Sequence, residues 1–343
     1  MKNSRIRDFI GHEWQDSSAV RIDIIDGKAS KSRAVLMDNR SGISMTVLED
    51  RCLDIFTLKV KGYNIPFLSK CGVVHPAFYD ASQYEWLRNF GAGFLTTCGL
   101  TQAGEPCSFN NNTWGLHGPI SNTPAQDVSV TSKDDEIVVS GKIRQYKFQT
   151  EDILLERSVS MHKTQNRIRI SDKVTNEGWR EAPFMLLYHF NFGYPLLNPE
   201  SCLVLPPSRI EGWDEYSESM IGQHLKMCSP DAAYNEQTFI HKPSSNEGRT
   251  GFLIADAQTD PRMAVFMEYD RTNLPYILQW KHFKPGEYVM AVEPCNNHVK
   301  GAQWENANGT LQVLKKGESK SMDFMITFLE NRDEIINAIL KIK

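Results

Sequence analysis

Apolar and polar residues alternate with a period of two along EIVVSGKIRQYKF (136–148), ILLERSVSMHK (153–163), RIRISDKVTN (167–176) and EYVMAVEP (287–294). Successive side chains of an extended chain point to opposite faces, so this alternation is the signature of half-buried β-strands. Turn-forming residues separate such segments: Asn176-Glu177-Gly178, Lys284-Pro285-Gly286, Asn308-Gly309 and Lys316-Gly317. Strand, turn and strand at short spacing predict a mostly all-β chain of stacked antiparallel sheets in place of repeating strand-helix-strand units.

Helical signals are few. HPAFYDASQYEWLRNFG (75–91) can hold a short helix capped by Asp80 or Ser82. Near the end, Asn331 followed by Glu334 has the form of a capping box, with Ile335, Ile336, Ile339 and Leu340 as an apolar face that covers a sheet. The segment PESCLVLPPSRIEGWDEYSESM (199–220) reads as an extended loop. No repeat, low-complexity tract or flexible linker interrupts the 343 residues, which predicts a single domain over 1–343.

Hydrophobic residues at 41% and charged residues at 23% are ordinary for a globular chain with a large core. The net charge of -4 is spread without a basic stripe, which argues against nucleic acid or an anionic membrane as partner. No stretch approaches the ~18 apolar residues of a membrane span, and the start MKNSRIRDFIGHEWQ lacks a secretory apolar core; both predict a cytoplasmic protein. Seven cysteines without C-x-x-C spacing fit neither a disulfide framework nor a zinc ribbon.

The segment LLYHFNFGYP (186–195) holds an anomaly. His189 and Asn191 share one face of an otherwise apolar strand with Met185 and Leu187, while Tyr188, Phe190 and Phe192 take the other. Glu293, with Val289 and Ala291, closes a second strand that Pro294 is expected to stop. Alone, such a histidine is more often a hydrogen-bonded core residue and such a glutamate a solvated rim residue. Together they offer a base and an acid, whose pKa values burial moves toward neutrality.

RNFGAGFLTTCGLTQAGEPC (88–107) and TWGLHGPISNTPA (113–125) are rich in glycine but lack a dinucleotide fingerprint, so the glycines serve close backbone approach. Here His117 can donate to a ligand hydroxyl or simply bond to backbone. Arg88, beside Asn89, can bind hydroxyls or form a surface ion pair. Trp86, Trp114 and Trp280 suit the C–H faces of sugars as a group, although each alone is more often core.

These residues resemble the aldose 1-epimerase (galactose mutarotase) superfamily, and more closely an uncharacterised offshoot of it, over most of the chain. The order agrees: an arginine segment, a Leu116-His117-Gly118 turn, the strand LLYHFNFGYPLL and a late strand VMAVEP. The resemblance implies a galactose mutarotase-like β-supersandwich of antiparallel sheets with a few short helices. It implies interconversion of α and β anomers, with His189 as general acid and Glu293 as general base. His117, Arg88, Asn89, Asn191 and Trp280 would bind the sugar, and neither cofactor nor metal is needed. Pro119 and Tyr188 depart from the family pattern, and the family's sugar-binding aspartate has only Asp214, Asp231 and Asp270 as unsupported candidates.

Two other readings stand beside this one. The chain can be a non-catalytic carbohydrate-binding protein on the same fold. It can also be another sugar isomerase or lyase, or a metal-assisted enzyme using His75, His117, His189, Glu293 and His298, whose spacings match no metal motif. Exposed sheet edges permit a homodimer.

Overall fold

The computed structural model describes residues 8–244, 248–256 and 263–342. Its strands form three large antiparallel sheets and one two-stranded ribbon. Five strands between Ser18 and Asn64 form the first sheet in simple chain order. The second has eight strands, in the spatial order Cys202–Val204, Arg249–Ala255, Ala264–Asp270, Ser319–Leu329, Arg167–Asn176, Glu151–His162, Glu136–Lys147 and Gln126–Ser132. The third has seven, with Ser208–Gly212, Gln237–Pro243, Tyr276–Lys284, Glu287–Cys295, Ala182–Phe192 and Gln312–Leu314 in line and Leu95–Leu100 also paired to Ala182–Phe192. One contiguous apolar core joins all three sheets, from Val35 to Phe328. The antiparallel sandwich expected from the alternation is therefore present.

The strand predictions hold to within two residues, because each alternating segment buries one face: Arg167–Asn176 runs eBeBiBeBiB in exposure, exposed outward and buried inward. At Pro285-Gly286 the hairpin closes with Lys284 opposite Glu287, and Gly286 takes φ +78°, which a side chain would resist. Pro294 does not stop its strand, which continues to Cys295. Just beyond it, Asn296 Oδ1 accepts from the Leu186 amide at 2.7 Å while its Nδ2 donates to the Phe184 carbonyl, which ties the end of this strand to Ala182–Phe192.

Three expectations are corrected. Segment 199–220 contains two strands, Cys202–Val204 and Ser208–Gly212, and the short helix Glu215–Ser219, because it supplies edges to both large sheets. Segment 75–91 forms two 3-10 turns, Pro76–Phe78 and Glu85–Asn89; His75 caps the first. The terminal helix Arg332–Ile342 starts at Asn331, whose side chain accepts from the Asp333 amide. Its buried face is Ile335, Ala338 and Ile342, packed on Leu253, Phe266 and Leu329, whereas Ile336 and Leu340 point to solvent.

Ala182–Phe192 is where the two halves of the core meet. Tyr188, Phe190 and Phe192 enter the main core, each burial worth roughly 1.5–3 kcal/mol, while Met185 and Leu187 join a second cluster with Trp86, Phe90 and Leu278. Behind the strand, the fully buried Arg157 guanidinium pairs with Asp172 at 2.6 Å and Asp54 at 2.8 Å, and the Tyr188 hydroxyl donates to Asp172 at 2.6 Å. Burial, the largest single influence, would favour neutral Arg157; Asp172, Cys52 and Asp54 together outweigh it and raise the guanidinium's pKa. No helix of the described residues is long and apolar enough to cross a membrane.

Candidate active site

The second apolar cluster floors a cavity of about 300 Å³ on the outer face of the seven-stranded sheet. Strand register builds the floor. Thr96 lies opposite His189, Glu293 opposite Leu278, and Leu278 opposite Ile240. The register of Phe190 with Val292 and Leu187 with Cys295 places His189 opposite Glu293. A single row across the sheet thus carries the imidazole and the carboxyl side by side, with His189 Nε2 3.5 Å from Glu293 Oε1. Both are almost fully buried, at 6% and 2% exposure.

The walls are aromatic. Trp86, Phe90, Trp213 and Trp280 line the cavity, together with Tyr84, His117 and Leu116. Phe90 and Trp280 flank the His189 ring at 5.3 and 5.6 Å between centroids. Trp86 is itself fixed by donation from its indole N–H to the Ser121 hydroxyl at 3.0 Å.

His117 comes from a tight loop. Its backbone takes φ +59°, its amide donates to the Gly104 carbonyl and its carbonyl accepts from the Gly99 amide. The Gly104 amide donates back to His117 Nδ1 at 3.3 Å, so in the neutral ring the proton sits on Nε2. Only glycine fits at 104, where a Cβ would lie 2.0 Å from the Val299 carbonyl oxygen. The dense glycines of this region do permit close backbone approach here.

Burial dominates the electrostatics. It pushes Glu293 well above the usual carboxylate range, with Glu236 adding to the rise. It lowers His189 to about 3, helped by neighbouring His117, and His117 to about 4. Both shifts run in the direction that favours a proton on Glu293 and a neutral His189. This is the opposite of the protonated histidine and ionised glutamate implied by the resemblance, because dry surroundings favour the uncharged arrangement of the same single proton. Among the described residues, the buried His189 Nδ1 and Asn191 Oδ1 have no partner within hydrogen-bond geometry.

Of the residues singled out in the sequence, His117, His189, Trp280 and Glu293 converge on the cavity. Three others do not line it. Arg88 points to solvent, 73% exposed, and pairs with Glu85. Asn89 is buried against Asn122 at 3.1 Å. Asn191 donates to the Gly93 and His189 carbonyls and so fastens the floor strand to the neighbouring segment. Trp114 sits in a short hairpin outside the cavity. Asp214 and Asp270 cap short helical turns, and Asp231 accepts from the Ala233 amide. The metal set does not assemble: His75 caps a turn and His298 bonds Glu305 at 3.1 Å. No group of three or more potential ligands is arranged for a metal among the described residues. Trp213, Tyr84, Glu105 and Glu236 were not anticipated; only the aromatic residues of SQYEW (82–86) and EGWDEY (211–216) are a local signal for such walls.

Architecture and floor geometry define a galactose mutarotase-like sandwich. Residues 29–328 match the family described as a domain of unknown function, DUF4432, and the chain belongs to that family. Its structure is similar to that of a Klebsiella pneumoniae protein called a "putative aldose 1-epimerase", with a TM-score of 0.89 at 23% identity over 95% of this chain and 87% of that one. It is also similar to a galactose mutarotase-like protein from Clostridium acetobutylicum (TM-score 0.66, 15% identity, 92% and 100% of the chains). A galactose 1-epimerase from Lactobacillus acidophilus follows at TM-score 0.60 and 12% identity over 92% and 99% of the chains. Among curated proteins, none matches this chain. At these identities the likeness establishes the fold.

Proposed function

We propose that the cavity is a mutarotase site that interconverts the α and β anomers of a monosaccharide. The observation that carries this reading is the buried His189–Glu293 pair, 3.5 Å apart on the floor of an aromatic cavity. A volume of about 300 Å³ is at the small end for ligand sites and suits one sugar ring. Aromatic walls suit its C–H faces, and the His117 Nε2–H is a donor for a ring or hydroxyl oxygen.

Ring opening needs one proton taken from the anomeric hydroxyl and one given to the ring oxygen. The C1–ring-oxygen bond then breaks as the C1 carbonyl forms. A pair that holds one proton and one vacancy supplies both transfers and ends with the proton moved from one partner to the other. Rotation about the bond to C1 presents the other carbonyl face, and closure runs the transfers backwards and restores the pair. Which partner donates first depends on where the shared proton rests when the sugar binds; burial favours Glu293. Positioned acid-base groups of this kind contribute about 10²–10⁴-fold.

The test is anomer exchange by NMR across a panel of aldoses, comparing the native protein with Glu293→Gln and His189→Asn. Exchange above the spontaneous rate that both variants lose supports the proposal. Sugar-dependent shifts of protein resonances without any exchange would instead make this a carbohydrate-binding protein.

A further inference from the structure

The cavity has a charge sign. Three of its lining side chains are carboxyls: Glu293 on the floor, and Glu105 and Glu236 nearer solvent. None of its lining side chains is lysine or arginine. Of the nearby cations, Arg88 pairs with Glu85, and the Lys300 ammonium is engaged by the rings of Trp213, a cavity wall, and Trp304 at 5.2 and 5.3 Å without lining the cavity itself. The Tyr84 hydroxyl donates to one carboxylate oxygen of Glu105 and fixes its orientation. Glu236 stays largely in water, 3.7 Å from His282.

A phosphate or carboxylate entering this space would shed hydration, find no cationic partner and approach two carboxylates. A protonated amine meets the reverse situation. The carboxylates attract it, and the electron-rich rings of Trp86 and Trp280 add a cation–π contribution that neither an anion nor a plain hydroxyl receives. A neutral sugar can donate its hydroxyls to the same carboxylates but carries no net charge for them to attract. Resting on the reading of this cavity as a sugar site, we infer that its substrate is a monosaccharide bearing a protonated amino group and no acidic group. Glu105 and Glu236 are the residues that set this specificity.

The experiment measures affinity by calorimetry or NMR titration for matched sugars: glucosamine, glucose and glucuronate, their galacto counterparts, and glucose 6-phosphate. Each is tested on the native protein, on Glu236→Gln and on the Glu105→Gln/Glu236→Gln double variant, with anomer exchange followed in parallel. The expected result is binding of the amino sugar about fivefold or more tighter than its neutral parent, with anionic sugars weakest. That ratio shrinks in Glu236→Gln, falls to near one in the double variant, and narrows with added salt. Glu236 is exposed, so its single variant keeps the test sound should the double variant fold poorly.

An anionic sugar that binds as well as the neutral one, or an amino preference that is absent or survives in the double variant, overturns the inference. Exchange on several sugars without charge preference would sink this inference and leave the mutarotase reading intact. Charge preference without exchange would do the reverse, and no binding by any sugar would defeat both.

Discussion

His189 Nε2 and Glu293 Oε1 lie 3.5 Å apart because two antiparallel strands place the residues directly opposite each other on one face. The contact needs no loop to form it, because strand pairing alone sets it. Glu293→Gln and His189→Asn should each lower enzyme-catalysed anomer exchange by about 10²–10⁴-fold while leaving detectable sugar binding. NMR exchange rates and titrations on the same samples check both parts.

Stability should depend on pH through the same groups. The folded protein holds His189 near 3, His117 near 4 and His241 near 4, all below the ordinary histidine value of 6.5, so the unfolded chain binds more protons in between. Stability is therefore intact above pH 6.5 and is lost as pH falls toward 3 to 4. Glu293 works in the opposite sense: its raised pKa makes the folded state hold a proton, and stability is lost as pH rises above the ordinary value of 4.5. Glu293→Gln should thus stabilise the protein at neutral pH, and by more as pH rises. Denaturation midpoints across pH for native protein, Glu293→Gln and His189→Asn check the signs.

The Arg157 network behind the floor strand should be costly to break. Asp172→Ala leaves a buried guanidinium short of its closer carboxylate and should destabilise by about 3–5 kcal/mol. Tyr188→Phe removes a single bond to the same carboxylate and should cost about 1.5–3 kcal/mol. Urea denaturation measures both, and equal losses would show that the hydroxyl and the ion pair act as one unit.

Arg88→Ala should change neither sugar affinity nor exchange by more than about twofold, because its side chain is exposed and engaged by Glu85. Trp280→Ala should weaken sugar binding by about five- to tenfold through loss of a cavity wall. The two titrations side by side separate a residue adjacent in sequence to the site from one that lines it.

What could be read from the chain follows from the range of the signal. Alternation is local, so the strands holding His189 and Glu293 and the side on which each points were legible. The contact between them depended on pairing over about a hundred residues, which only the resemblance supplied. Arg88 and Asn89 were misplaced because side-chain direction in the turn Glu85–Asn89 is set by how that turn lies on the sheet: Trp86 goes in and Arg88 goes out. The terminal helix erred for a related reason. Ile335, Ile336, Ile339 and Leu340 make a plausible stripe, but docking on Leu253 and Phe266 selects the face with Ala338, the small residue that lets the helix approach.

The floor of the cavity is made of paired strands, whereas Tyr84, Glu105, His117, Trp213, Glu236 and Val299 reach it from turns and strand ends. The proton-handling apparatus and the parts that choose a guest are thus encoded on separable pieces of chain. An insertion within Ala182–Phe192 would turn His189 toward the core and exchange it with Tyr188, which no later substitution could easily repair. The turns above face no such bookkeeping. Descendants of this scaffold can therefore diversify in what the cavity admits while keeping the same imidazole and carboxyl on its floor.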